Sequence, residues 1–166
     1  MSIAATLQKH LSRKHIVYDV VSLSLTMRSV LSAEACCVSP DRVAKGVVVR
    51  RYVLPVLPAS RRISRTELKM ELGENFALAS ENELEQLFED CVAGAVPPVG
   101  EAYGLDAVVE PSISGQPDVY FEGEDHATLI HVTQARFAKL IGGAAHARFA
   151  AGGERDGRSA RRNAGG

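Results

Sequence analysis

The segment Gly94-Ala95-Val96-Pro97-Pro98-Val99-Gly100 constrains this chain more than any other stretch. Two glycines bracket two prolines in an otherwise apolar run. Glycine reaches φ values closed to other residues. Proline fixes φ and carries no N–H, and each of the two prolines biases the residue before it, Val96 and Pro97, toward extended backbone. The result is a stiff loop whose backbone groups point where the fold aims them. Two readings stay open on local grounds. One is a plain connector, the usual meaning of a Gly/Pro cluster. The other is a loop that holds a polar ligand with main-chain atoms.

The chain has 166 residues, enough for one domain and a tail. Its 46% hydrophobic content is that of a globular protein with a real core. A formal net charge of -1 offers no global basic field for nucleic acid, which leaves room for a local patch. The three cysteines, Cys36, Cys37 and Cys91, match no zinc or redox spacing. An odd count with no secretion signal points to a reducing compartment. The first residues read as neither signal peptide nor membrane span. The reading is therefore cytoplasmic, with no membrane partner.

Element signals alternate along the chain. Ile3, Leu7 and Leu11 mark an amphipathic helix. Residues 16–21 read as a strand, and residues 22–32 are mixed, with helix preference from Met27. Pro40 sits at a helix start. Residues 43–50 and 52–58 form a strand pair with a tight turn at Arg50 and Arg51. Pro55 argues that the second run is an edge or carries a bulge. A basic stretch with Arg61, Arg62 and Arg65 leads to a helix ended by Gly73. Residues 76–79 read as a short strand, and Ser80 with Glu83 makes a capping box. Residues 107–110 form a strand stopped by Pro111. Residues 118–122 and 128–132 form a hairpin, and Thr133 caps a last helix through Ile141. Residues 1–142 make the domain. Residues 143–166 make a flexible Ala/Gly/Arg-rich tail. The expected class is α+β: a mixed, partly closed, barrel-like sheet with helices outside it.

The side-chain machinery of common enzymes is missing. The five histidines have no metal-helix spacing, and no metal or cofactor site is expected. No nucleophile elbow, Cys–His pattern or phosphate loop is present. Lys45 shares a strand face with Val43 and Val47. It is either an anion anchor directed into a cleft or an exposed strand lysine. Any chemistry must then rest on backbone groups or on the substrate itself.

Several features occur in a familiar order: Val43-Ala44-Lys45 leading a strand, Pro58-Ala59-Ser60-Arg61-Arg62, a Leu-rich helix ending in Gly73, the loop Gly94-x-x-x-Pro98-x-Gly100, and a terminal hairpin and helix. In this the chain resembles the aminoacyl-tRNA deacylase family (the YbaK/prolyl-tRNA synthetase-associated domain), over about residues 1 to 142. The resemblance implies hydrolysis of the ester joining a wrong small amino acid, such as alanine or cysteine on tRNA for proline, to the tRNA 3′ end. It implies tRNA, rather than DNA, as partner, with prolyl-tRNA synthetase as a further one. Lys45, Gly94 and Pro98 would carry the reaction. Lys45, Gly94, Ala95, Val96, Pro98, Gly100 and His131 would line the substrate site. The loop backbone would place the aminoacyl group and a water, a ribose hydroxyl would assist, and Lys45 would hold the RNA end. No protein residue would serve as general base.

Two positions depart from the family pattern. Gly46 stands where several relatives carry a polar residue, and Pro97 removes one loop N–H. The alternative is a catalytically silent module of the same fold that binds a tRNA end or a small ligand. A third reading, a small-molecule domain with no RNA role, also remains.

Overall fold

The computed structural model describes residues 3–22, 37–73 and 75–152. The Ile3–Leu7–Leu11 spacing gives helix α1 (Ala5–Arg13), with Leu7, His10 and Leu11 buried. Its N-cap, Ala4, offers no side-chain acceptor. Asp90 supplies one from 84 residues away, its Oδ2 accepting the Thr6 N–H at 2.7 Å. A carboxylate at a helix N-terminus satisfies an orphan donor and the dipole together. Burial alone would raise the Asp90 carboxyl; the Thr6 N–H, with help from the Tyr103 hydroxyl, outweighs that and holds it below the usual range.

Strand β1 (Asp19–Ser22) follows, and a 3-10 turn at Pro40–Arg42 is capped by Ser39. Then come β2 (Ala44–Gly46), β3 (Val53–Pro58), β4 (Arg62–Ile63) and α2 (Arg65–Leu72). Gly73 ends α2 at φ 75°. Helix α3 (Glu81–Leu87) opens with the expected Ser80–Glu83 capping box. The loop leads to a 3-10 turn at Gly100–Tyr103, then β5 (Asp106–Val109), α4 (Pro111–Ser114), β6 (Asp118–Glu122) and β7 (Thr128–Thr133). Thr133 caps α5 (Gln134–Ile141), and β8 (Ala145–His146) and β9 (Ala150–Ala151) finish the described chain.

The strands make three sheets: β1-β7-β6, β2-β3-β5-β8, and the ribbon β4-β9. A parallel bridge between Val43 and Tyr120 links the first two. The α+β class holds. Among the described residues no ladder joins β1 to β8, so the sheets do not close into a barrel. The main core lies between the sheets and helices, with Phe121 and Phe137 fully buried and their ring centroids 6.4 Å apart. Each such side chain contributes about 1.5–3 kcal/mol of transfer free energy.

Four expectations are corrected. Pro55 lies neither at an edge nor in a bulge. It sits in β3, between β2 and β5. Its carbonyl accepts the Val47 N–H at 3.0 Å, and it has no N–H to return. That one-way bond falls where the ladder ends, so β2 stops at Gly46 and the expected strand over 43–50 is cut short. Residues 76–79 add only an isolated bridge, Val49 to Leu78, instead of a strand. The domain also does not end at 142. Strand β8 pairs with β5, and Phe149 is fully buried beside Leu57, Leu68 and Val108. Alternation of exposed His146 and Arg148 with buried Ala147 and Phe149 pins this segment, although its composition is mostly Ala, Gly and Arg. The helix preference from Met27, Cys36, and residues 153–166 of the expected tail fall outside the described residues.

Candidate functional site

The Gly94–Gly100 loop is built by two glycines with different duties. Gly94 adopts φ +82°, a left-handed conformation that costs an L-residue about 1–2 kcal/mol. Gly100 is needed for space, since a Cβ there would stand 2.6 Å from the Leu105 carbonyl oxygen. That carbonyl belongs to backbone already fixed by the Leu105 N–H bond to Gly100 O at 2.9 Å. Within the loop the Ala95 N–H turns back to Val92 O at 2.9 Å. Among the described residues, the N–H groups of Gly94 and Val96 meet no backbone acceptor.

The loop lies against β2. A Cβ added to Gly46 would meet Leu54 Cδ1 at 2.8 Å, Val96 Cγ1 at 3.3 Å and the Pro98 Cα at 3.4 Å. Lys45, one residue earlier, points to the opposite face of the strand. Its ammonium donates to Ala59 O at 3.3 Å and to Arg61 O at 2.6 Å. Burial, and secondarily the Arg62 guanidinium, pull that ammonium below the usual lysine range. The structure thus brings the lysine strand and the loop into contact, while the lysine head lies on the far side of the strand from Val96.

A cavity of about 350 Å³ runs along the other side of the loop, between Gly94–Val96 and helix α3. Leu84 and Phe88 make its apolar wall, and Glu81 and Glu85 add carboxylates. His126, almost fully buried, also lines it. The His126 Nε2–H donates to Ala93 O at 3.1 Å, directly before Gly94, and its other ring nitrogen lies 3.5 Å from the Glu122 carboxylate. Sequence reasoning passed over this histidine because the loop it holds lies 33 residues upstream. No local pattern announces such a contact. Neither Lys45 nor His131 lines this cavity.

His131 is placed elsewhere. It stacks on Tyr120 at 4.4 Å, with Nδ1 3.2 Å from Asp19 and Nε2 3.0 Å from Asp118. Both ring nitrogens are therefore spoken for across the β1-β7-β6 sheet. Cys91, at the cavity wall, is no nucleophile in waiting. Burial is the main reason its thiol is pushed up to about 11, with Asp90 adding to the rise, so the reactive thiolate is scarce. Among the described residues no three His, Cys, Asp or Glu side chains gather as a metal site, and no helix is long and apolar enough to cross a membrane.

Solved structures share this architecture. The crystal structure of the hypothetical protein APE2540 aligns with TM-score 0.74 at 20% identity, over 88% of this chain and 99% of that one. A proposed trans-editing enzyme for prolyl tRNA synthetase aligns with TM-score 0.75 at 23% identity, over 91% of this chain and all of its own, 100%. A proposed signal transduction protein from Marinobacter aquaeolei VT8 aligns with TM-score 0.72 at 15% identity, over 90% of this chain but 31% of that longer one. No curated protein matches the chain. At these identities the structural likeness shows the fold. A family model goes further: residues 26–140 match the aminoacyl-tRNA editing domain, and the chain belongs to that family.

Proposed function

We propose that this protein hydrolyses the ester of a mischarged aminoacyl-tRNA, removing a small amino acid such as alanine or cysteine from tRNA for proline. The observation that carries the proposal is the family match over residues 26–140. The contact of Gly46 with Val96 and Pro98, which joins the lysine strand to the loop, supports it. The ester is already an activated bond, so placing it beside a water can supply much of the barrier reduction. The N–H groups of Gly94 and Val96 are the donors available to the aminoacyl carbonyl or its developing oxyanion, and a rigid loop presents them without reorganisation. A ribose hydroxyl of the terminal nucleotide assists the water. Lys45 holds the RNA end by a charge-assisted hydrogen bond. Ala95, Pro98 and Gly100 keep the loop in shape.

The need for such an enzyme follows from the weakness of methylene discrimination. A synthetase pocket gains only about 1–3 kcal/mol per methylene, too little to refuse a smaller amino acid. Prolyl-tRNA synthetase is therefore the natural companion, and the cytoplasm the natural setting. Pro97 favours a second reading, a silent module that binds a tRNA end or a small ligand, because it deletes one loop N–H. Purified alanyl-, cysteinyl- and seryl-tRNA separate the two: release of amino acid supports the hydrolase, and retention of RNA without release supports the silent module.

A further inference from the structure

Several of the side chains that carry positive charge around the fold meet carboxylates. Arg42 lies 3.2 Å from Asp118, Lys14 lies 2.5 Å from Glu101, and Arg61 lies 3.9 Å from the buried Glu110. Lys45 and Arg62 are among those that do not. Among the described residues neither forms an ion pair with a carboxylate. They are also neighbours, because the Lys45 ammonium rests on Arg61 O, the carbonyl of the peptide that leads into Arg62. An ammonium has three donors. Ala59 O and Arg61 O occupy two, which leaves the third for a ligand. Two cations held together without counter-charge repel one another, and an anion between them relieves that repulsion.

We propose that Arg62 is a second RNA-binding cation, forming with Lys45 a seat for one phosphodiester group of the acceptor end. This rests on the function proposed above. Arg62 suits the part by its planar fork, which matches two phosphate oxygens, while the lysine supplies a point charge. It is exposed, on the two-residue strand β4 that pairs with β9. Arg61, its neighbour in sequence, is unsuited because its guanidinium already faces Glu110.

The test is binding of unacylated tRNA, by fluorescence anisotropy over a salt series, for wild type, Arg62→Gln and Lys69→Gln, an exposed control on α2. Loss of one phosphate contact should make the log–log salt slope of Arg62→Gln shallower by about 0.7–0.9. The slope of Lys69→Gln and the melting temperature of both variants should stay at the wild-type values. An unchanged slope in Arg62→Gln overturns the seat. Inorganic phosphate should displace the RNA from wild type beyond the effect of equal ionic strength, and less so from Arg62→Gln; equal displacement from both overturns the seat. The RNA carries no aminoacyl ester, so the two proposals fail separately. A protein with an Arg62-dependent slope that hydrolyses nothing keeps the seat and loses the enzyme. A hydrolase whose slope ignores Arg62 keeps the enzyme and loses the seat.

Discussion

Val96 closes over Gly46: its Cγ1 lies 3.3 Å from the point a Gly46 Cβ would occupy, and the Pro98 Cα lies 3.4 Å from it. The loop therefore rests on the lysine strand through a missing side chain. Gly46→Ala should cost about 1–3 kcal/mol, since the fully buried Leu54 must also give way. Gly46→Thr should press on the backbone at Pro98 and lower turnover more than the melting temperature suggests. Thermal melts paired with deacylation rates check this. Wild-type values for Gly46→Thr in both would show that the loop does not depend on this contact.

The two loop glycines should answer differently to asparagine. Gly94 is limited by its φ of +82°, a region asparagine tolerates better than other residues. Gly94→Asn should therefore lose less stability than Gly94→Val. At Gly100 the limit is the Leu105 carbonyl oxygen at 2.6 Å from a Cβ, so alanine and asparagine should be about equally damaging. Melting temperatures of the four variants decide it, and a mild Gly100→Ala would refute the steric account.

Much of this arrangement could be read in advance, because its causes are local. Ser80 with Glu83, Gly73 at the end of α2, and Thr133 at the start of α5 each act within one helical turn, and each does what its residue type dictates. The alternation in residues 118–133 likewise fixes the β6–β7 hairpin. What escaped was non-local. Pro55 looked like an edge residue because nothing in sequence reveals that its missing N–H falls at the end of a ladder. Phe149 looked like part of a tail because its pocket is made by Leu57, Leu68 and Val108 from elsewhere in the chain. His126 meets the loop through Ala93 O, a partner no spacing rule can name. His131 attracted attention as a strand histidine, yet its ring nitrogens face Asp19 and Asp118.

Acid should unfold the protein in two separate windows. His10 is buried, and burial above all lowers its pKa from the ordinary 6.5. Arg13 Nη2 donates to its Nδ1 at 2.8 Å, which requires a lone pair there and hence a neutral ring. The unfolded chain then binds more protons than the folded one just below pH 6.5, so stability should fall as pH drops through that range. His10→Leu should flatten this first arm in urea melts across pH, and an unaltered arm would exonerate His10.

Asp90 acts in the second window. Its carboxyl is held below the usual 3.8 in the fold, because the hydrogen bonds of Thr6 and Tyr103 outweigh the opposing effect of burial. Its contribution is therefore complete above about pH 3.8 and is lost as pH falls through the lowered folded value. Asp90→Ala should cost about 1 kcal/mol at neutral pH, the usual worth of a helix cap, and should weaken the acid dependence below about pH 3.8. Equal stability of wild type and Asp90→Ala at pH 7 would show that α1 does not need this acceptor.

The most direct test is the rate of ester hydrolysis on alanyl-, cysteinyl- and seryl-tRNA by wild type and Lys45→Ala, with circular dichroism to confirm that both are folded. The account predicts turnover of at least one ester by wild type and a loss of about 10²-fold in Lys45→Ala, the scale of a misplaced substrate. Intact esters with wild type, or equal rates for the two proteins, would contradict it.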